Sequence, residues 1–186
     1  MARETKISQE MVINGALKLV QREGYDALNA RSLAKELGCS TQPLFSRFKN
    51  IDDLKNALIE RIYNIYLERL YASVESGKYP PYKATGMAYV EFAKEEKNFF
   101  KLLFMRDRTD EQKFVSTDWE IAVSMIREIF DISKEEADKI HAQMWFFVHG
   151  IAVMLATGFE EIDLDTASQY ITDIYNGVKL RYRVKL

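Results

Sequence analysis

Apolar residues recur at three- and four-residue intervals along most of the chain, the period of helices with one buried face, and no stretch alternates as a half-buried strand would. Val12, Ile13, Ala16, Leu17 and Val20 form the first stripe, with Ser8 placed to cap it and Gly24 to close it. Tyr25 and Leu28 follow as apolar anchors, and Asn29 caps a short helix, Arg31 to Leu37, that Gly38 stops. A helix of about two turns is marginal alone and needs a partner. That partner starts where Ser40 can cap a helix with Pro43 in its first turn, a place where a missing amide hydrogen costs little, and Leu44 and Phe48 face inward. Asp52 and Asp53 then open a long helix, Leu54 to Ser76, whose acidic start suits the helix dipole.

Lys78 to Pro81 holds two of the three prolines and marks a linker, after which helical patterns resume over Tyr82 to Lys94 and Lys97 to Phe104. Arg106 to Asp118 is polar and without a period, whereas Trp119 to Phe130 is periodic again. Ser133 and Glu136 spell a capping box for a long uncharged helix that Gly158 ends, and a last helix spans Asp165 to Arg183. The expected fold is all-α. Residues 1–50 form an amino-terminal helix-turn-helix domain, the helix of about 52–76 joins it to the rest, and residues 51–186 form a larger helical domain.

Composition narrows this picture. With 186 residues, 47% hydrophobic and 29% charged, the chain is too apolar for a disordered protein and long enough for a substantial core. Cys39 is the sole cysteine, so no internal disulfide forms and a reducing compartment is expected; Met1 to Gln9 lacks the apolar core of a signal peptide, which places the chain in the cytoplasm. Between Lys139 and Glu160 no charged residue occurs, a span long enough to cross a bilayer. His141, Gln143 and His149 interrupt it and a charged helical pattern follows, so it is read as a buried core helix, with no membrane partner.

The net charge of −2 argues against a nucleic-acid coat protein, but its distribution matters more. Up to Lys55 nine basic residues stand against seven acidic ones, giving +2, and the remainder carries −4. A mildly basic head on an acidic body suits a molecule that offers one end to a polyanion.

Two short helices with a glycine at their junction make a helix-turn-helix, which the stretch from Asn29 to Lys49 supplies. Ala34 allows close crossing, Gly38 accepts the turn, and Leu33, Leu37, Cys39, Leu44 and Phe48 supply the apolar contacts. Thr41, Gln42, Ser46, Arg47 and Lys49 are left to point outward, with the hydrogen-bonding and cationic groups that base edges and phosphates require.

These residues resemble the tetracycline-repressor (TetR) family of transcriptional regulators from about Ser8 to Lys55. The resemblance rests on Gly24-Tyr25, on Leu33-Ala34 with Leu37-Gly38, and on the run Leu44 to Asn50 followed by Asp52-Asp53-Leu54. Phe45 replaces the family's usual Tyr, Arg47 its common His, and Ile51 stands where a phosphate-binding Lys is usual. Phe45 thereby keeps sugar packing and loses a hydroxyl donor worth about 1 kcal/mol, while Arg47 adds a permanent charge and Lys49 and Lys55 can replace the missing cation. Gln42 and Arg47 are the candidate base readers; Arg31, Ser40, Thr41, Pro43 and Ser46 complete the DNA-facing set with Phe45, Lys49 and Lys55.

The resemblance further implies that the carboxy-terminal domain binds a small effector and dimerises. Tyr63, Tyr66, Phe92, Phe100, Phe104, Trp119, Trp145 and His149 are the candidate pocket residues, from a segment rich in aromatics and methionines that ordinary core packing also explains. Gly150, Ala152 and Ala156, together with the stripe Tyr170, Ile171, Ile174 and Val178, are candidates for a four-helix homodimer interface. His141 and His149 are eight residues apart, too far for one ion held by the pair, so no metal is expected. No nucleophile-base pair, phosphate loop or dinucleotide fingerprint is present, so the chain is read as cofactor-free and not an enzyme. The resulting expectation is a homodimeric repressor that binds a pseudo-palindromic double-stranded operator and releases it on binding a small molecule. A second reading stays open: a helical small-molecule carrier or protein-interaction module whose helix-turn-helix has lost its DNA, which Phe45 and Ile51 favour.

Overall fold

A computed structural model describes residues 7–107 and 116–183 of the chain. Among these residues there are nine α-helices and no strand: α1 (Gln9–Glu23), α2 (Ala30–Glu36), α3 (Gln42–Phe45), α4 (Ile51–Glu75), α5 (Pro81–Glu95), α6 (Lys97–Phe104), α7 (Thr117–Phe130), α8 (Lys134–Thr157) and α9 (Leu164–Arg183). The aperiodic stretch noted above falls largely on residues 108–115, outside the described residues.

The local punctuation acts as its chemistry dictates. Ser8 accepts from the Met11 amide, Asn29 forms a reciprocal capping box with Ser32, and Ser133 does the same with Glu136. Gly38 and Gly158 take the left-handed conformation (φ 66° and 71°) at the ends of α2 and α8. The starts of α4 and α3 are among those that differ from the sequence pattern. The long helix α4 begins at Ile51, three residues earlier than the apolar period, because Asn50 caps it: its side chain accepts from the Asp53 amide at 2.8 Å. Helix α3 is preceded by Thr41 and not by Ser40, and Thr41 makes no side-chain cap.

The chain divides into two compact units. The first comprises the residues up to Ile65 together with Asn98–Arg106. Its core is built from Val12, Ala16, Leu19 and Val20 of α1, Leu33 of α2, Leu44 and Phe48 around α3, and Leu54, Leu58 and Ile62 of α4, all buried. The segment Asn98–Arg106 belongs here because α6 secures the end of α1: Asn98 Nδ2 donates to the Gln21 carbonyl at 2.9 Å, one of the acceptors a helix end leaves unsatisfied.

The second unit comprises Tyr66–Lys97 and the residues from Asp107 onward. Here α8 is the central element, packing on α5, α7 and α9. By length and composition alone α8 could span a membrane. In this unit its stripe of Ile140, Met144, Val148, Ile151, Ala152, Leu155 and Ala156 is buried by neighbouring helices, at about 1.5–3 kcal/mol for each large side chain. Arg69 of α4 bridges Glu95 (2.6 Å) and Glu96 (2.7 Å) at the end of α5.

Candidate DNA-binding surface and ligand cavity

The turn between α2 and α3 is a complete Schellman closure. The Cys39 amide donates to the Ala34 carbonyl at 3.0 Å and the Gly38 amide to the Lys35 carbonyl at 3.2 Å, a double bond pattern that needs the left-handed residue Gly38 supplies. The angle so fixed brings Leu44 and Phe48 onto the core (1% and 4% exposed). With those two turned in, Gln42, Phe45, Ser46, Arg47 and Lys49 are all exposed, as is Arg31 on α2. Helical hydrogen bonds continue past α3 through Ser46, Arg47 and Phe48, so the outward surface is longer than the four residues of the regular helix.

Individual contacts qualify the roles of these residues. Arg47 Nε donates to the Ile7 carbonyl at 2.9 Å, tying the side chain to the segment before α1 while its two terminal nitrogens stay available. Ser46 Oγ donates to the Pro43 carbonyl at 2.7 Å and keeps its acceptor lone pairs. Ser40 is exposed, and Thr41 and Pro43 are half-buried. Lys55 is half-buried, with its ammonium 5.2 Å above the Tyr25 ring in a cation–π contact inside the unit. The sequence pattern gave no hint of Gly15: a Cβ there would meet Leu37 Cδ2 at 2.7 Å, so this glycine, besides Ala34, sets how closely α1 and α2 approach.

Within the second unit, α4, α5, α7, α8 and α9 line a partly open cavity of about 310 Å³. Its walls are mostly apolar: Leu70, Ala122, Met144, Trp145, Val148 and Ile171, with the rings of Tyr66, Tyr82, Tyr89 and Tyr175. Polar groups are few, chiefly Lys83, Thr85, Asp118, His141, Thr172 and Asn176. Most are already engaged. Tyr66 Oη donates to Asp118 at 3.3 Å, Tyr82 Oη is 3.1 Å from His141 Nδ1, and Thr85 donates to the Tyr82 carbonyl. Burial pushes the His141 pKa down to about 4 against the opposing pull of Asp118 and Asp138, and pushes the Tyr82 and Tyr89 hydroxyls up. At neutral pH the histidine and both phenols are therefore uncharged.

Of the eight pocket residues expected from the sequence, Tyr66 and Trp145 line the cavity. Trp119 and His149 stand behind its wall: Trp119 packs edge-on against His141 at 4.4 Å and donates to Asp138, and His149 stacks on Trp145 at 4.6 Å and bonds the Tyr89 hydroxyl. Phe92 is fully buried beneath Tyr66, and Tyr63, Phe100 and Phe104 belong to the first unit, so these four do not line the cavity. The period of a helix identifies its buried face but not which residues meet a void, so it does not single out Tyr82, Lys83 and Tyr89 as cavity-lining.

The candidate interface residues divide similarly. Ala152, Ala156 and Ile171 are buried inside the chain and cannot touch a second copy. Gly150 and Val178 are half-buried, while Tyr170 and Ile174 are exposed. The exposed apolar face of α8 is instead Phe146 and Met154, with Phe159 just beyond its end, and Leu180 extends that of α9.

What the fold and the two sites define is an all-α protein with a helix-turn-helix in its first unit and a cavity in its second. Residues 12–58 match the family described as bacterial regulatory proteins, tetR family, and residues 82–173 match the tetracyclin repressor-like C-terminal domain. The chain belongs to the TetR family of transcriptional regulators. It is 25% identical over 171 residues to an uncharacterized HTH-type transcriptional regulator of Mycobacterium tuberculosis, covering 89% of this chain and 78% of that protein. Among solved structures it shares its fold with a protein of unknown function from Rhodococcus sp. RHA1 (TM-score 0.74, 21% identity, 94% of this chain and 97% of that one). A TetR-like transcriptional regulator from the same organism is also similar (TM-score 0.62, 14% identity, 92% and 93%).

Proposed function

We propose that the chain is a cytoplasmic, homodimeric repressor that holds a pseudo-palindromic operator and releases it when a small molecule fills the cavity of the second unit. The observation that carries this reading is the division of the recognition segment: Leu44 and Phe48 are locked into the core while Gln42, Phe45, Ser46, Arg47 and Lys49 all face solvent. That arrangement offers bidentate donors and cations to a major groove. Family membership favours it over the carrier reading, and the burial of one face of α8 favours a core helix over a membrane span.

The switch is a population shift. A ligand that prefers a conformer with wrongly spaced heads weakens operator binding by its differential affinity, typically ~1–3 kcal/mol, and DNA weakens ligand binding by the same factor. Selecting bound duplexes from a random pool, then titrating the winner against scrambled DNA across salt concentrations, tests the head. The expected result is a palindromic winner bound far more tightly than scramble; no enrichment and no salt-dependent binding would return the carrier reading.

A further inference from the structure

Lys83 stands apart from the other polar groups of the cavity. It lies on α5 in the first turn after Pro81, half-buried, and lines the mostly apolar chamber. Its ammonium donates to Thr172 Oγ1 at 2.8 Å and lies 5.1 Å from the centre of the Tyr79 ring. Thr172 Oγ1 in turn donates to the Ser168 carbonyl at 2.9 Å, so the hydroxyl is oriented to accept from the lysine. No carboxylate pairs with Lys83 among the described residues, in contrast to Lys134, Lys139 and Arg69, each of which has an acidic partner. An ammonium has three donors, and here one is spent on Thr172. The other two donors are left for an occupant, and the cavity provides room for an anionic group beside them.

The remaining groups decide the shape of the occupant. Asn176, one helical turn beyond Thr172 on α9, adds a neutral polar group to the same wall. The cavity's acid, Asp118, is held on α7 against the Tyr66 hydroxyl and would repel a second negative charge. We propose that the effector is an amphipathic monocarboxylate: its carboxylate pairs with Lys83 beside Thr172 and Asn176, and its apolar body runs along Leu70, Met144, Trp145 and Val148. This rests on the cavity being the effector site of the regulator proposed above.

The test uses the full-length protein without DNA. Decanoate and 4-phenylbutyrate are titrated by calorimetry beside the alcohols and primary amines of the same carbon skeletons. The expected order places a carboxylate about tenfold or more tighter than its alcohol, with the amine weakest, since a charge-assisted hydrogen bond exceeds a neutral one by that much. In Lys83→Met, which keeps the apolar stem, the carboxylate should fall to the affinity of the alcohol while the alcohol's affinity holds. The alcohol thereby reports that the cavity is still folded. Carboxylates binding no better than alcohols, amines binding best, or a carboxylate preference that survives Lys83→Met would each overturn the assignment. Adding operator DNA to the same titration separates the two readings. A Lys83-dependent carboxylate that leaves operator affinity unchanged keeps the ligand assignment and removes the switch, whereas operator release by an amine alone keeps the switch and removes the carboxylate.

Discussion

Arg47 and Lys49 stand two residues apart on the exposed side of the recognition segment, yet their chemistry assigns them different tasks. Arg47 has its Nε on the Ile7 carbonyl, which restrains the plane of the guanidinium and leaves both terminal nitrogens available, the pair of donors that a guanine edge would need. Lys49 presents an exposed point charge without a fixed fork of donors. Arg47→Ala should therefore relax specificity at one base position by ~1–3 kcal/mol, and Lys49→Ala should weaken every sequence alike and lower the salt slope by about one. Competition binding against single-base operator variants distinguishes them; equal losses on all DNA would make Arg47 a phosphate contact. His141 illustrates a residue whose charge is set by burial. Its pKa is lowered to about 4, so the folded state holds fewer protons than the unfolded one below the ordinary value of 6.5. The neutral ring's contribution is fully present above that value and is lost as pH falls toward 4, by at most about 3 kcal/mol. Urea unfolding at pH 7 and pH 4.5 should show a smaller acid loss in His141→Gln than in the parent chain, and equal losses would show that the acid sensitivity lies elsewhere.

Helices begin and end where a few residues dictate, and the turn of the helix-turn-helix depends on one of them. Gly38 has φ 66°, and a Cβ there would meet nothing within 4 Å, so the strain of Gly38→Ala comes from the backbone alone. The expected cost is ~1–2 kcal/mol, seen as a lower urea midpoint, with operator affinity falling further if the angle between α2 and α3 relaxes. Asparagine, which tolerates the left-handed region, should recover part of it. Such positions were legible in advance: Ser8, Gly24, Asn29, Gly38, Ser133 and Gly158 all occupy the caps that their chemistry indicates. Ser40 was not, because two polar residues in succession leave the cap position open and only the closure through Cys39 and Ala34 places it at Thr41.

At the scale of the molecule, two-fold pairing would place two heads about one DNA turn, ~34–36 Å, or a multiple apart. The outward apolar residues Phe146, Met154, Tyr170, Ile174 and Leu180 on α8 and α9 offer a surface for it. Phe146→Glu combined with Ile174→Arg should yield a monomer by sedimentation at micromolar concentration, with palindrome affinity reduced toward that of one half-site. A parent chain that is itself monomeric would remove the dimer. A variant that remained dimeric would move the interface elsewhere.

The sequence by itself determined the all-α class, most helix ends, the helix-turn-helix and its exposed residues, because caps, left-handed glycines and the 3.6-residue period act within a few neighbours along the chain. Tertiary structure decided the rest. Whether a buried aromatic lines a void, as Tyr66 does, or fills one, as Phe92 does, depends on side chains from several helices meeting at one point. The same holds for Lys55 over Tyr25, for Ala152 and Ala156 turned into the core, and for Asn98–Arg106 joining the first unit. Packing is a relation between segments distant in sequence, and a helical period specifies which face is buried without specifying what it is buried against.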